Sequence, residues 1–443
     1  MKIVQDNGLL LDVDLVAEKK KIASHNYPRK ELAEFLFAYN QQIGNDKAAL
    51  ENCQKLAALN SFCIVTGQQL GLMGGPSYTI LKAITCLMAA REYNAIPIFW
   101  LATEDHDISE INHTVIVNAL GNLQYFHLPL PKDGTAVEDL TLSEHSISVI
   151  SDFLKTINKT EWLPTLTPGA SYAHIMASFL SRLFANTGLV FLEPKLLRPL
   201  ARSFFKTEIL KSKEIESLLH KSSEKIRDSG EQPPLAVNST NLFLKNDRGL
   251  RKKIKREEGL FFVDKDSNTE KQLLDIAETN PERFSTNVAA RPLMQSALIP
   301  TLAYVSGPNE NEYFKQLKDY FDFHHVPMPT IIPRLSATFI PAHAHLLLEK
   351  IGLNPAEPLP LHWDELFLEL QSLPENQRKE IVHSKGIPYN ALHLLRNLLH
   401  PNEKPQERVL NGAAFIAESE ENLVHYFLTH ANWKNNSTIY CYL

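Results

Sequence analysis

The chain has 443 residues and a mass of 50.2 kDa, enough for about two to four domains or for one large α/β core with insertions. With 45 Lys and Arg against 51 Asp and Glu, the net charge is −6, which argues against a nucleic-acid-binding surface spread over the chain. No apolar run reaches the roughly 18 residues of a membrane span, and the N-terminus has no signal-peptide pattern. The four cysteines have no paired spacing. We therefore expect a soluble protein of the reducing cytoplasm that binds neither nucleic acid nor membranes.

The first third of the chain begins with helices and then changes to strand–helix alternation. Apolar residues recur at helical spacing over the first sixty residues. A short apolar run at residues 62–65 predicts a buried strand, and a glycine-rich loop follows as far as Pro76. A helix over residues 80–88 and a second strand at 96–101 complete the pattern. This order is typical of a right-handed βαβ unit.

The same alternation returns later in the chain. Apolar runs at residues 189–192, 302–305 and 330–332 predict strands, and helices are predicted over 196–225 and 311–323. Near-continuous apolar strands separated by helices indicate a parallel sheet that is covered on both faces. We therefore predict an α/β fold with a Rossmann-like, doubly wound sheet of about five parallel strands, inserted β-containing segments and a helical C-terminal region.

Segments that do not fit the parallel core set the predicted domain organisation. Residues 112–131 alternate between apolar and polar, and residues 234–263 form a second β-like piece with a basic run at Arg251–Arg256, which we interpret as a solvated face. The predicted parts are an N-terminal helical segment packed on the core (1–60), the core (61–340) with insertions at about 112–187 and 228–290, a helical region (341–400) and a C-terminal segment that returns to the core (401–443).

The residues after the first strand form a candidate phosphate site. In an open α/β sheet, ligands bind beyond the carboxyl ends of the strands. Glycines let backbone N–H groups approach a phosphate, and the helix that follows offers its positive N-terminus. A tight strand-to-helix turn would explain the same spacing. The candidates are Thr66, Gly67, Gln68, Gln69, Gly71, Gly74 and Gly75.

An acidic cluster follows the second strand. Glu104, Asp105, His106 and Asp107 place three carboxylates and an imidazole in four residues. Mutual repulsion raises carboxylate pKa values and suits general acid–base chemistry. A solvated helix N-terminus would also favour acidic residues. A metal site through His106, Asp107 and His113 is a further hypothesis that rests on spacing alone.

Six motifs together resemble the bacillithiol biosynthesis cysteine-adding enzymes. The similarity extends from about Tyr27 to the C-terminus. The matching runs are Thr66–Lys82 with its Thr-Gly-Gln-Gln and Gly-Gly-Pro pieces, Phe99–His113, Arg291–Gln295, Tyr304–Tyr313, Pro333–Ser336 and Gln406–Asn411.

The resemblance implies a function and a set of partners. Members of this family are ligases that join the carboxyl of L-cysteine to the amine of glucosaminyl-malate, the last step towards bacillithiol. It also implies a Rossmann-like core, and a C-terminal coiled coil that supports a homodimer beside a bound adenine nucleotide. Only about 70 residues separate Ser336 from Gln406, and prolines at residues 355–360 break the helical pattern, which argues against both the dimer and that nucleotide site here. A histidine that the family often carries before the Asn241–Phe243 match is also absent.

Amide formation needs an activated carboxyl and a group that accepts a proton, and this chemistry suggests roles for residues. Asp107 and His106 are the candidate general bases, and Glu104 or Asp105 would hold a cysteine or glucosamine group. Activation of the carboxyl implies ATP or another adenine nucleotide with Mg²⁺. Candidate substrate- or nucleotide-binding residues, besides the loop residues above, are Lys82, Glu110, Asn112, His113, Arg291, Gln295, Gly307, Glu310, Tyr313, Arg334 and Ser336. No metal-ligand set is assigned. A metal-dependent hydrolase using the Glu104–His113 cluster and a non-catalytic nucleotide-binding protein stay open as alternatives.

Overall fold

The computed structural model describes residues 1–5, 15–162, 167–350, 374, 376–377, 391–419, 422–435 and 437–443. The α-helices of these residues are α1 (Val16–Ala23), α2 (Arg29–Gln42), α3 (Lys47–Lys55), α4 (Tyr78–Tyr93), α5 (Glu144–Thr156), α6 (Tyr172–Leu183), α7 (Arg202–Leu210), α8 (Ser212–Asp228), α9 (Glu270–Thr279), α10 (Ala290–Leu298), α11 (Pro308–Phe323), α12 (Ala342–Lys350), α13 (Ala391–Leu399), α14 (Gly412–Glu418) and α15 (Leu423–His430). The strands are β1 (Lys2–Gln5), β2 (Cys63–Gln68), β3 (Ile96–Leu101), β4 (His113–Val117), β5 (Leu123–His127), β6 (Val190–Leu192), β7 (Leu242–Lys245), β8 (Arg251–Glu257), β9 (Leu260–Val263), β10 (Asp266–Asn268), β11 (Phe284–Thr286), β12 (Thr301–Ser306), β13 (Thr330–Pro333), β14 (Ser336–Ile340) and β15 (Thr438–Tyr442).

A five-stranded parallel sheet forms the centre of the fold. Its order is β13-β12-β2-β3-β6, and every neighbouring pair is parallel. The chain therefore builds outward from β2 in one direction through β3 and β6, and in the other through β12 and β13. The strand order reverses between β2 and β12, where a doubly wound sheet opens a crevice for ligands. The predicted α/β fold with about five parallel strands is confirmed.

Both faces of this sheet are covered, which explains the apolar strands. Every residue of Ile96–Leu101 and of Thr301–Ser306 is buried. Ile64 and Phe99 belong to the apolar cluster that includes α4 and α6, whereas Val65 and Ile98 belong to the opposite cluster with α2, α10 and α11. Successive side chains of a strand point to opposite faces, so a strand between two helical layers must be apolar at every position.

The segments outside the core form three smaller units. β4 and β5 make an antiparallel hairpin, and β10-β9-β8-β7-β11 make an antiparallel sheet. In the third unit β15 lies between β1 and β14, antiparallel to β1 and parallel to β14. The chain after residue 401 therefore packs back on its own beginning, and the first sixty residues contain a strand besides their helices.

Two sequence expectations differ from the structure or fall outside it. The helix predicted over 196–225 is wrong as one element, because 3-10 turns at Pro194–Leu196 and Arg198–Leu200 precede α7, and α8 starts only at Ser212. Pro199 has no N–H to donate and disfavours a helical conformation in the residue before it. Most of residues 351–390, including the proline-rich stretch, lies outside the described residues.

All four cysteines are buried as free thiols. Burial raises the pKa of Cys53 and of Cys441 to about 12, so these thiols stay protonated. In the described part of the chain, no helix is both long enough and apolar enough to span a bilayer.

Candidate functional site

A cavity of about 650 Å³ opens beyond the carboxyl ends of β2, β3 and β12, at the point where the strand order reverses. Twelve of the predicted site residues line it: Gly67, Gln68, Gln69, Lys82, Glu104, Asp105, Glu110, Arg291, Gly307, Glu310, Tyr313 and Arg334. They come from motifs that are up to 267 positions apart in the chain, between Gly67 and Arg334. These residues belong to five of the six sequence motifs, and Arg408 of the sixth motif also lines the cavity, so all six motifs meet there.

Lys82 and Glu310 form a buried ion pair in the cavity wall. Lys82 extends from α4 towards the cavity. Its Nζ donates to the Gly67 carbonyl (2.9 Å), to Gln68 Oε1 (3.0 Å) and to Glu310. These acceptors match all three donors of an ammonium group, so we treat Lys82 as charged. Burial alone would raise the pKa of Glu310, but the charges of Lys82 and Arg291 outweigh it and lower that pKa.

Arg291 is held by a set of aromatic and amide groups. Its guanidinium donates to Tyr304 Oη (3.3 Å), Tyr313 Oη (3.2 Å) and Gln295 Oε1 (3.0 Å). Tyr304 in turn donates to Glu310 Oε1 (2.8 Å). Gln295 is buried on α10 one turn after Arg291 and is not part of the cavity wall, so its effect on a ligand would be exerted through Arg291.

Glu104 is a buried carboxyl that faces the cavity. It is 4% exposed, and its Oε1 accepts a hydrogen bond from Thr286 Oγ1 (3.0 Å) on β11. Burial raises the pKa of Glu104, and the more distant charges of Arg198 and Arg251 only partly oppose it. A carboxyl with a raised pKa at a ligand site is suited to exchange a proton with a substrate.

Asp105 has the opposite character, because Arg251 holds it. Its Oδ2 accepts from Gln69 Nε2 (2.6 Å), and its Oδ1 accepts from Arg251 Nη1 (3.2 Å). Although burial acts to raise it, the hydrogen bond from the backbone N–H of His106 (2.7 Å) and the charge of Arg251 hold the pKa of Asp105 well below its usual value. Such a carboxylate is a weak base. The basic run is therefore not wholly a solvated face: Arg251 is 6% exposed, and the prediction is wrong for this residue.

His106 and Asp107 are poorly placed to act as the predicted general bases. The guanidinium of Arg251, which can only donate, lies 2.9 Å from His106 Nδ1, so this nitrogen must be unprotonated and its lone pair is engaged. Neither residue is part of the cavity wall. Asp107 is exposed and accepts from the N–H of Ser109 (3.0 Å), as the cap of a 3-10 turn. Asp107 therefore fits the alternative of an acidic residue at a solvated helix start.

The glycine turn at Gly71–Gly75 lies outside the cavity and uses its own donors. The N–H groups of Gly71, Gly74 and Gly75 donate to carbonyls within the loop, at 2.9, 3.2 and 3.0 Å. A Cβ on Gly71 would lie 2.9 Å from the Cα of Gly75, so glycine is needed for the close approach of two backbone segments. This geometry contradicts the predicted phosphate cradle at these three glycines. Gly67 and the two Gln side chains beside it do line the cavity.

Four further predicted residues also lie outside the cavity wall. Thr66 donates to the carbonyl of Val305 (2.8 Å) and so joins β2 to β12. Asn112 and His113 lie at the start of the hairpin, where the His113 ring stacks on His127 at 5.5 Å. The fourth residue, Ser336, donates through Oγ to a carboxylate of the C-terminal segment (3.0 Å). Among the described residues, no group of three His, Cys, Asp or Glu could hold a metal ion, so the metal-site hypothesis finds no cluster there.

The comparisons with known proteins agree with this geometry. The model of the family "Bacillithiol biosynthesis BshC, N-terminal Rossmann-like domain" matches residues 13–335. The chain belongs to the bacillithiol biosynthesis BshC family. Proteins named "Putative cysteine ligase BshC" are similar to it: that of Bacillus cytotoxicus is 32% identical over 82% of this chain and 71% of its own length. That of Geobacillus kaustophilus is 34% identical over 78% of this chain and 68% of its own length. That of Heliobacterium modesticaldum is 34% identical over 76% of this chain and 67% of its own length.

In this BshC-family chain, part of the cavity wall comes from outside the Rossmann-like domain. Lys404 and Arg408 line the cavity but lie beyond the end of the matched domain at residue 335. Sequence reasoning did not assign them, although Arg408 belongs to the Gln406–Asn411 motif and so could have been found there. It also missed Tyr78, which lies inside the Thr66–Lys82 motif and could have been found there, and Thr286 and Asn287, whose neighbours in the sequence give no signal of a site.

Proposed function

We propose that the chain is a ligase that joins the carboxyl of L-cysteine to the amine of glucosaminyl-malate, with ATP as the source of carboxyl activation. The observation that carries the proposal is the convergence of the family motifs on one cavity of about 650 Å³ at the switch point of the sheet. The cysteine ligase names of its relatives point to the same reaction.

The charges of the cavity suit a ligand that carries groups of both signs. Four carboxylates line it, namely Glu104, Asp105, Glu110 and Glu310, together with six cations, namely Lys82, Arg251, Arg291, Arg334, Lys404 and Arg408. Because the excess is positive, the cavity favours phosphates and carboxylates. Cysteine and glucosaminyl-malate each also bring an ammonium group, which the carboxylates favour.

Glu104 is the group that we propose to move the proton. The new amide C–N bond forms when the amine of glucosaminyl-malate attacks the activated cysteine carboxyl, and the phosphate-bearing group leaves with the C–O electron pair. The amine must first lose the proton of its ammonium form. Glu104, with its raised pKa and its place in the cavity wall, is a better acceptor than Asp105, whose charge Arg251 stabilises.

The residues present fit a magnesium ion that arrives with the nucleotide. Mg²⁺ prefers oxygen ligands and is usually bound by one or two carboxylates together with the substrate phosphates. The carboxylate of Glu110 and the buried Oε1 of Gln69, which has no donor among the described residues, are the oxygens that would hold it. Bound there, the ion would neutralise phosphate charge during activation.

The test is a mass-spectrometric assay with L-cysteine, glucosaminyl-malate, ATP and magnesium, in which each component is omitted in turn. We expect a product that requires all four, and a loss of about 10²–10⁴-fold in turnover for Glu104→Gln. Glu144→Gln, which removes an exposed carboxylate at the start of α5, is the matched control and should keep wild-type turnover. Nucleotide binding without any product would support the non-catalytic alternative and overturn the proposal.

A further inference from the structure

The cations inside the cavity are already engaged by protein groups, which raises the question of what binds an anionic ligand. The three donors of Lys82 have protein acceptors. Arg251 donates to Asp105, to the Thr286 carbonyl (2.7 Å) and to Ser285 Oγ (3.0 Å). Lys82 and Arg251 therefore stabilise the cavity wall, and little of their hydrogen-bonding capacity is left for a substrate.

Two cations at the mouth of the cavity differ from these in their hydrogen bonding. Lys404 and Arg408 line the cavity with exposed side chains. Within the described residues, neither side chain forms an ion pair or donates a hydrogen bond. Their donors are therefore available to a ligand.

The segment that carries these two cations is firmly attached to the core. Gln406 is 1% exposed, and its amide accepts from the Phe339 N–H (2.7 Å) and donates to the carbonyls of Phe339 (2.9 Å) and Leu398 (2.8 Å). Its neighbour Glu407 is also buried and accepts from Arg334 Nη2 (2.6 Å). Because the positions between Lys404 and Arg408 are fixed in this way, little backbone ordering is needed when a ligand binds.

Arg334 links the segment around Glu407 to the cavity wall. Its guanidinium pairs with Glu407 and lies 5.7 Å from the centre of the Tyr78 ring. Burial raises the pKa of Tyr78, but the charges of Arg334 and Arg408 both act to lower it, so both cations lie near the same hydroxyl. Arg334 donates once to the carbonyl of Leu335 and once to Glu407, so in the described structure three of its five N–H groups have no protein acceptor.

We propose that Lys404 and Arg408, together with Arg334, form a cationic rim that binds a substrate group with paired anionic oxygens. This inference rests on the proposed function. Two substrates of that reaction carry such a group, namely the dicarboxylate end of glucosaminyl-malate and the polyphosphate of ATP. A guanidinium can bind paired oxygens through two parallel hydrogen bonds, and an ammonium adds a point charge.

The rim lies across the sheet from the proposed base. Arg334 follows β13, whereas Glu104 and Asp105 follow β3, and two strands lie between β13 and β3. Three spacings of about 4.8 Å separate the two ends by about 14 Å. The rim and the proposed base therefore contact different parts of the bound substrates.

The experiment compares Arg408→Gln, Lys404→Gln and the double variant with Arg248→Gln, which removes an exposed arginine from the turn between β7 and β8. Apparent KM is measured separately for glucosaminyl-malate and for ATP. We expect about a tenfold or greater rise for one anionic substrate per removed cation, with kcat changed less than KM. Arg408→Lys should restore part of the affinity, and the control should match the wild type.

The substrate whose KM rises identifies the bound group. A rise for glucosaminyl-malate assigns the rim to the dicarboxylate, and a rise for ATP assigns it to the polyphosphate. Unchanged KM values for both substrates in the double variant, with thermal unfolding like that of the wild type, would overturn the proposal.

A second measurement separates this inference from the proposed function. If the wild type forms no product, the proposed function fails, and calorimetric titration with L-malate and with pyrophosphate then decides the rim alone. The rim is supported if the wild type binds one of these probes and the double variant binds the same probe about tenfold or more weakly. Equal behaviour of wild type and double variant towards both probes, including no binding by either, would refute it.

Discussion

Glu138 is a buried carboxylate that joins the first insertion to the core and to the second insertion, and its replacement by Gln tests what stabilises that junction. Its two oxygens accept from the guanidinium of Arg198 at 2.7 and 2.8 Å, and Oε1 also lies 2.6 Å from Lys245 Nζ. The side chains of Glu138 and Arg198 are each only 2% exposed. The pair is therefore removed from water on both sides.

The expected loss of stability follows from this burial. Glu138→Gln removes the negative charge and leaves Arg198 buried without its counterion, which typically costs about 3–5 kcal/mol. Lys245 is 20% exposed and keeps its ion pair with Asp139 (2.5 Å). Most of the loss of stability therefore arises at Arg198. Against a total stability of about 5–15 kcal/mol, this is a large fraction.

The pH dependence has a definite sign. Burial raises the pKa of Glu138, but the charges of Arg198 and Lys245 outweigh it, so the pKa in the folded protein is lowered. A lowered folded-state pKa means that the stabilisation is complete above the unfolded-state value of about 4.3 and is lost as the pH falls below it. The difference between wild type and variant should therefore be constant near neutrality and shrink only in acid.

Urea unfolding at neutral pH measures the effect, with Glu144→Gln as the control for loss of an exposed carboxylate. The double variant Glu138→Leu with Arg198→Met should lose less stability than Glu138→Gln, since it leaves no buried charge. A free energy of unfolding for Glu138→Gln within about 1 kcal/mol of the wild type would refute the reasoning.

Three further predictions concern the site and its support. If Glu104 is the base, turnover should fall as the pH decreases, with a midpoint above that of an ordinary glutamate because burial raises its pKa; a pH–rate profile without this limb would contradict the role. Asn411→Ala should lower the free energy of urea unfolding by about 2 kcal/mol or more, because a buried cap of α14 and a 3.0 Å bond to the Met73 carbonyl are lost. Gly71→Ala should cost about 1–3 kcal/mol in the same assay because its Cβ would press on Gly75, and an unchanged urea midpoint would show that the turn can open.

Much of the core could be predicted because its residues obey local rules. The run Ile96–Leu101 is buried on both faces of the sheet, so its apolar sequence alone indicates a central parallel strand. The order strand, loop, helix, strand around α4 then implies a right-handed crossover, which leaves few topologies to consider. The helix predicted over 196–225 was wrong at its start, because Pro199 disfavours a helix there and α7 begins only at Arg202.

The site was predictable only in part, since neighbours in sequence separate in space. Glu104, Asp105 and Asp107 look equivalent as a cluster, yet burial raises the pKa of the first, Arg251 lowers that of the second, and the third is an exposed cap. Which carboxylate can act as a base depends on Arg251, which is 146 positions from Asp105. No local pattern encodes that pairing.

The sequence by itself determined the strands of the core, the edge of the sheet where the cavity opens and the family, because these depend on periodicity and on motifs of short span. The tertiary structure alone decided which motif residues meet at the cavity. In the folded chain, Gly71–Gly75 form a packed turn, and Lys404 and Arg408 from the C-terminal segment lie at the cavity mouth. The physical reason is that burial and charge pairing arise from contacts between distant segments, and they set the chemistry of each side chain only after the chain has folded.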